Sequence, residues 1–407
     1  MDNLKEGTLY WLDTLPDPPV YPKLEEDIEC EVLVIGGGES GALISYALRE
    51  QGVDAVVVDQ RDISHGSTCA NTGLLQFQND KSLTGFIHTF GEEKAVRMYK
   101  LCEQAVIELD RITSTLDIDP QFARRDSLYY ASCPEDLPKL KEEYNNLKKH
   151  GFNVEFWDEA KIRSKYSFGK AGAIYSIGDA EINPYRNAVS VLHTLHNKGM
   201  RIYQHTEIQR HAAEKDHIVF YTADGRSIKA QKAVIASGYE TQKFKTNPNA
   251  VLTSSYALVT QPFDSFPGWH ERTLIWETAR PYLYVRTTKD NRIIIGGRDE
   301  NTVIPEERER MLKQKTKLLL EDGEKLFPEL GPLRADYAWG ATFGSTHDGL
   351  PMFGEQDGFP HCYFALGYGG NGTVASTIAS KVITELIVRG SSPDAELFRF
   401  DRPSKSQ

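Results

Sequence analysis

Cysteine is scarce in this 407-residue chain: Cys30, Cys69, Cys102, Cys133 and Cys362 are five in all, scattered and without a CxxC pair. An odd, dispersed set excludes a disulfide framework or a cysteine-based zinc site and fits a reducing compartment; no metal is expected. Long apolar runs are also missing. None approaches the roughly 18–20 residues that span a bilayer. The N-terminus, MDNLKEGTLYWLD, lacks a basic region followed by an apolar stretch, so a cytoplasmic protein is expected. There is no basic excess either. A net charge of −11 argues against a nucleic-acid partner. It is compatible with cationic substrates such as amines, although solubility alone accounts for it. What remains is a soluble globular composition, 40% hydrophobic and 26% charged, in a chain long enough for two domains.

The strongest local signal runs from Val32 to Asp59. Val32-Leu33-Val34-Ile35 is a short β-branched apolar run, typical of a strand buried on both faces. Gly36, Gly38 and Gly41 follow in GxGxxG spacing. A helix from about Ser40 to Gln51 is stopped by Gly52, and a second buried run, Ala55 to Val58, ends on Asp59. This is a βαβ unit with dinucleotide-binding parts: glycines for a tight turn, for close approach of a pyrophosphate and for helix–strand packing. The helix N-terminus offers free N–H groups and a positive dipole end, and Asp59 can accept from ribose hydroxyls.

The rest of the chain is read around that unit. Residues 1–27, with Tyr10-Trp11-Leu12 and four prolines (Pro16, Pro18, Pro19, Pro22), read as an arm laid over the surface. Residues 65–75 (HGSTCANTGLL) can wrap a polar ligand or form an ordinary cap and turn. An amphipathic helix begins at Glu92, a strand covers Ser127 to Ser132, and a charged helix covers Pro134 to His150. Ala173 to Ile177 reads as a strand completing the first sheet, followed by a helix from Tyr185 to Lys198, a strand at 201–204 and the strand Lys232 to Gly238. Residues 251–297 alternate and suggest a mainly antiparallel sheet, followed by a helix from about Pro305 to Leu326. Trp339 to Pro351 reads as a glycine-rich loop. The strand Cys362 to Leu366 leads to Gly367-Tyr368-Gly369-Gly370-Asn371-Gly372 and a helix to Arg389, a second place where backbone N–H groups converge.

Together, the GxGxxG unit with Asp59, the STCANTG stretch, the strand ending in Ala236-Ser237-Gly238 and the GYGGNG helix start resemble the D-amino-acid-oxidase-like flavoprotein superfamily. That group includes glycine oxidases, sarcosine oxidases and γ-glutamylputrescine oxidoreductases; the Tyr10-Trp11-Leu12 arm and IECEVLVIGGG entry look most like the last. The resemblance implies an α/β fold with a Rossmann-type FAD-binding domain in discontinuous segments (28–85, 170–245, 335–395). An α+β substrate domain on a mainly antiparallel sheet (86–169, 246–334) would be inserted between them, with 396–407 as a tail. It also implies FAD, expected to be non-covalent because Ala341 stands where covalent members carry cysteine. Gly36, Gly38, Glu39, Ser40 and Gly41 would hold the pyrophosphate, and Asp59, Gln60, Arg61 and Ile208 the adenosine. Ser67, Thr68, Asn71, Thr72, Gly73 and Leu74 would run along the pyrophosphate and isoalloxazine. Ala236, Ser237, Gly238, Gly340, Gly367, Gly369, Gly370, Asn371, Gly372 and Thr373 complete the expected cofactor site.

Two departures stand out. Aligned on Asp348-Gly349-Leu350-Pro351, Phe343 stands where amino-acid oxidases of this group often carry a carboxylate-clamping arginine. Ala341 stands where the covalent sarcosine oxidases attach flavin through cysteine. The expected reaction is oxidation of a C–N bond in a small amine or amino acid, with oxygen or another acceptor downstream. No catalytic acid or base is assigned. Tyr256, Tyr282, Tyr284, Arg286 and Arg298 are the substrate-face candidates. Tyr282, Tyr284 and Arg286 share one side of a strand, and the same row could equally be cross-strand packing. An NAD-dependent dehydrogenase and a non-catalytic FAD-binding protein are the competing readings. The late GYGGNG segment counts against the first.

Overall fold

The computed structural model describes residues 4–243, 250–366 and 369–402. Its strands form two sheets. The first is built outward from the strand Ile28–Ile35, whose Val32, Leu33 and Val34 are fully buried. Such a run can be satisfied only with parallel strands on both sides and layers above and below. Ala55–Val58 and Ser227–Ile235 pair with it in parallel, with Arg201–Tyr203 and Cys362–Leu366 beyond them. Met352–Glu355 closes one edge antiparallel, and the ribbon Ile208–Ala213/Ile218–Thr222 extends from Ser227–Ile235. The helices Glu39–Glu50, Gly372–Arg389 and Pro184–Asn197 pack together in one apolar cluster with Val32, Val34, Ala55 and Val57.

The second sheet has ten strands and is mostly antiparallel. Its strand Ala250–Thr260 lies between Ala335–Thr346 and Ile293–Glu300; Tyr284–Thr287, Leu274–Glu277, Ala123–Tyr130 and Gly172–Glu181 follow. The helix Pro305–Leu326 covers it through Leu319 and Leu326, against Leu258, Ile275 and Ile295.

Several sequence expectations change. The strand expected at Ala173 to Ile177 is Gly172–Glu181, and it pairs in the second sheet, not the first. The loop expected from Trp339 is a twelve-residue strand, Ala335–Thr346. Its glycines mark close approach, not a turn. A Cβ on Gly340 would lie 2.8 Å from the Arg308 side chain, and one on Gly344 would lie 2.4 Å from the Tyr239 ring. The N-terminal arm is more than a surface strap: its proline segment lies on the surface, but Lys5–Thr8 is an edge strand against Ala335–Thr346, and Tyr10 and Trp11 are buried. The tail is likewise docked as far as it is described, with Phe398 buried and Arg402 gripping the Asp348 carboxylate at 2.6 and 2.8 Å.

Candidate functional site

A cavity of about 400 Å³ runs between the two sheets, bounded at one end by the first glycine turn and at the other by aromatic side chains. Gly36 has φ +113, and a Cβ there would lie 2.5 Å from the Ala236 carbonyl oxygen. A Cβ on Gly41 would lie 1.8 Å from the Gly36 carbonyl oxygen. Only glycine lets this helix start so near the strand, which brings its first turn to the cavity. Thr68 supports that turn by accepting from the Glu39 N–H at 3.0 Å.

Asp59 also works on the turn. One carboxylate oxygen accepts from the Gly37 N–H at 2.7 Å and the other from the Arg61 N–H at 2.9 Å. Burial raises its carboxyl to about 6, against those two hydrogen bonds and the Arg61 charge, which pull it down. Arg61 makes a two-point contact with Glu240, at 2.7 and 2.9 Å, and Gln60 donates to the same carboxylate at 2.8 Å.

Three distant segments lock together at the wall. Thr373 donates to a Glu39 carboxylate oxygen at 2.9 Å; Asn71 donates to that oxygen at 3.2 Å and to the Thr373 hydroxyl at 3.1 Å. Ser40 and Ser376 hydroxyls meet at 2.9 Å. The indoles of Trp11 and Trp339 donate to the Asn71 and Ala70 carbonyls at 2.6 and 3.0 Å, fixing the backbone of the STCANTG stretch. Burial lifts the Glu39 carboxyl to about 7, opposed by hydrogen bonds from Thr373, Asn187 and Asn71. A carboxyl raised in the fold contributes stability that is complete below its ordinary value and lost as pH rises through about 7. Glu39→Gln apoprotein is therefore expected to match the wild type near pH 4 and to exceed it in urea midpoint at about pH 8. A gap that does not widen with pH would exclude a buried, reluctantly ionised Glu39.

Most expected cofactor residues stand on the cavity wall: Gly36, Gly38, Glu39, Ser40, Asp59, Gln60, Arg61, Ser67, Thr68, Asn71, Thr72, Leu74, Ile208, Ala236, Ser237, Gly238, Gly369, Gly370, Asn371 and Gly372. Gly41 and Thr373 stand just behind it. Gly73 is also behind, its N–H held by Asn71 at 2.9 Å. Gly340 lies in its strand against Arg308. Gly367, with Tyr368, lies outside the described residues.

The substrate-face candidates separate. Tyr282 and Tyr284 wall the end of the cavity away from Asp59. Tyr282 donates to Asp80 at 2.6 Å, and the other Asp80 carboxylate oxygen accepts from the Gly370 N–H at 2.8 Å. Tyr256 reaches the wall, but its ring packs beneath the helix Pro305–Leu326, with Lys315 Nζ 5.6 Å from its centre. Arg286 does not stand on the cavity wall. It is buried, donates at 3.0 Å to the Gly73 and Ile182 carbonyls, and lies 5.3 Å from the Trp11 ring centre. It shares a face with Tyr284, but two residues along the strand that face has passed from the cavity to the buried chain around Gly73. Arg298 is also displaced, with φ +60 and its guanidinium on Asp322 at 2.9 Å.

Sequence reading missed Asp80, Gln78, Trp276, Tyr239, Glu240 and Asp299 on the wall. Asp80 and Gln78 follow the STCANTG stretch closely, and their nearness to it was the one usable signal. Trp276 and Asp299 arrive through strand pairing and have none. Cys69 is fully buried and not on the wall, and Ala341 offers no thiol, consistent with a non-covalent cofactor.

The cradle fits the expected dinucleotide: bare glycine backbone at a helix start, Asp59 at the end of the second strand, and a second glycine-rich helix start facing the same cavity. Escherichia coli γ-glutamylputrescine oxidoreductase is 28% identical over 397 residues, covering 94% of this chain and 87% of that protein. Glycine oxidase from Geobacillus kaustophilus is 21% identical, covering 88% of this chain and 93% of its own. In fold, L-proline dehydrogenase from P. horikoshii superposes with a TM-score of 0.78 at 19% identity, over 93% of this chain and 98% of that one. The family model for FAD-dependent oxidoreductases matches residues 31–386, from the strand before the glycine turn into the last helix, and the chain belongs to that family.

Proposed function

We propose that this flavoenzyme oxidises the C–N bond of a small amine or amino acid. The observation that carries the reading is the make-up of the cavity's far end. Trp276, Tyr282, Tyr284, Phe343, Asp80 and Asp299 wall it, and the single cationic side chain on the whole wall, among the described residues, is Arg61 at the opposite end. Such an end suits an amine and offers no arginine to an α-carboxylate. The names of the relatives, a γ-glutamylputrescine oxidoreductase and a glycine oxidase, point to the same chemistry.

In this reading Gly36, Gly38 and the first turn of Glu39–Glu50 meet the pyrophosphate. Asp59, Arg61 and Ile208 meet the adenosine, and Thr72, Leu74 and Asn371 the ring system. When bound, FAD supplies the two-electron acceptor for the reaction. Asn371 and Gly372 at the start of Gly372–Arg389 would offer backbone N–H groups and a positive helix end to the ring, where they would favour negative charge without reorganising. Asp80 holds Gly370 and Tyr282 in one arrangement, so the ring end and the substrate wall are positioned together. The aromatic wall limits water around the reacting carbon. The substrate C–N bond becomes an imine, which water then hydrolyses outside the aromatic end.

The test is anaerobic bleaching of the purified flavin by glycine, sarcosine, D-amino acids, proline, simple amines and polyamines. Rapid bleaching by one amine class is expected. Bound FAD that none of them bleaches would overturn the reading and favour a non-catalytic role. The family match already sets aside the NAD-dependent alternative.

A further inference from the structure

The far end of the cavity carries acceptors that the protein leaves unused. Asp299 sits where the pairing of Ile293–Glu300 with Ala250–Thr260 shifts register, an irregularity that re-aims a side chain. One of its carboxylate oxygens is buried with no hydrogen-bond partner among the described residues. Gln78, only 4% exposed, lines the same cavity with its side-chain oxygen unpartnered. Trp276, 5% exposed and stacked 3.9 Å from Tyr129, completes the wall. A buried acceptor left unpaired costs about 1–3 kcal/mol, so two facing one cavity mark a place where a ligand brings donors, while the unpartnered indole N–H of Trp276 on the same wall would take a lone pair.

The charge of that ligand follows from the surroundings. Asp80 adds a fixed carboxylate, already satisfied by Tyr282 and Gly370. Lys315 is committed to Glu300 and lies over the Tyr256 ring. In the adjoining recess, Arg280 donates to the Glu277, Thr278 and Ala279 carbonyls and to the Asp80 carbonyl, and Lys81 donates to the Asp348 carbonyl. Burial, and then the charges of Asp80 and Glu300, push the Asp299 carboxyl up, while the Ser255 hydroxyl and Lys315 pull it down; an arriving cation would add to the downward side.

The nitrogen that is oxidised must be neutral for its carbon to release hydride, so an ionic seat is of no use to it. We propose that Asp299 and Gln78 seat a second, charged ammonium, making the substrate a diamine whose distal nitrogen is anchored while the near one reacts. This rests on the amine reading above and narrows it.

The test compares unbranched chains of three to five carbons that differ only at the far end: a monoamine, the α,ω-diamine and the ω-amino acid. Each is titrated anaerobically into the holoenzyme, reading both the flavin spectral shift on binding and the bleaching rate. At the best length the diamine is expected to exceed the monoamine by about tenfold in rate over Kd, with the ω-amino acid last. In Asp299→Asn that ratio should collapse toward one, measured within the same flavin-loaded protein. Monoamine equal to diamine in the wild type, a ratio unmoved by the substitution, or a preference for the ω-amino acid would each overturn the seat while leaving amine oxidation standing. The wild-type comparison decides the matter even if the variant fails to fold. If no chain of any kind bleaches the flavin, the amine reading falls first and the seat with it.

Discussion

Gly41→Ala is expected to purify colourless. The added carbon would sit 1.8 Å from the Gly36 carbonyl oxygen, an impossible contact with backbone, so the helix Glu39–Glu50 must move away from its strand. Overpacking in a tight core costs about 1–3 kcal/mol and sometimes more. Here the displaced atoms also carry the N–H groups at the cavity. A loss of about 3 kcal/mol in FAD binding is roughly a hundredfold in Kd. Gly38→Ala is the comparison, since its Cβ would meet only the Thr68 hydroxyl, at 3.0 Å. Flavin fluorescence quenching gives both affinities. If Gly38→Ala proved the more damaging, the close helix–strand contact would not be what builds the site.

The second large effect is expected from Arg286→Met, and it falls on stability, not substrate. The guanidinium satisfies the Gly73 and Ile182 carbonyls and stands 3.8 Å from a Glu181 carboxylate oxygen that has no other partner among the described residues. Removing it strips the Ile182 carbonyl and that Glu181 oxygen of their donor, while Arg125 still holds the other Glu181 oxygen at 2.9 Å and the Ile182 N–H still meets the Gly73 carbonyl, so the loss is on the order of 1–3 kcal/mol. Because Gly73 follows Asn71, the damage reaches the loop that the two indoles hold. The midpoint of thermal flavin release should fall by a few degrees, while KM for the best amine stays as in the wild type. A raised KM with an unchanged midpoint would return Arg286 to the substrate.

These two residues mark where sequence reasoning was sufficient and where it stopped. Gly41 was legible because its job is local. The turn, the helix and both flanking strands lie within one short βαβ unit, and a single spacing encodes their contact. The place of Arg286 off the cavity wall was not legible, because alternation along a strand says which side chains share a face, but not what covers each part of that face. The glycines of Ala335–Thr346 misled for a related reason. Glycine marks a turn or a close neighbour equally well, and the neighbours here, Arg308 and Tyr239, come from far away in the chain. Asp299 and Trp276 were invisible, since an acid or an indole within a β-region has no pattern until pairing aims it.

By itself, then, the sequence determined the parallel nucleotide sheet, the glycine cradle and the FAD family, because short-range spacing and buried β-branched runs permit few alternatives. Tertiary structure alone decided which strands joined the second sheet, how Glu39, Asn71 and Thr373 interlock, and which acids face the cavity. Those depend on register between strands distant in sequence, where a shift of one residue exchanges the face in the cavity for the face in the core.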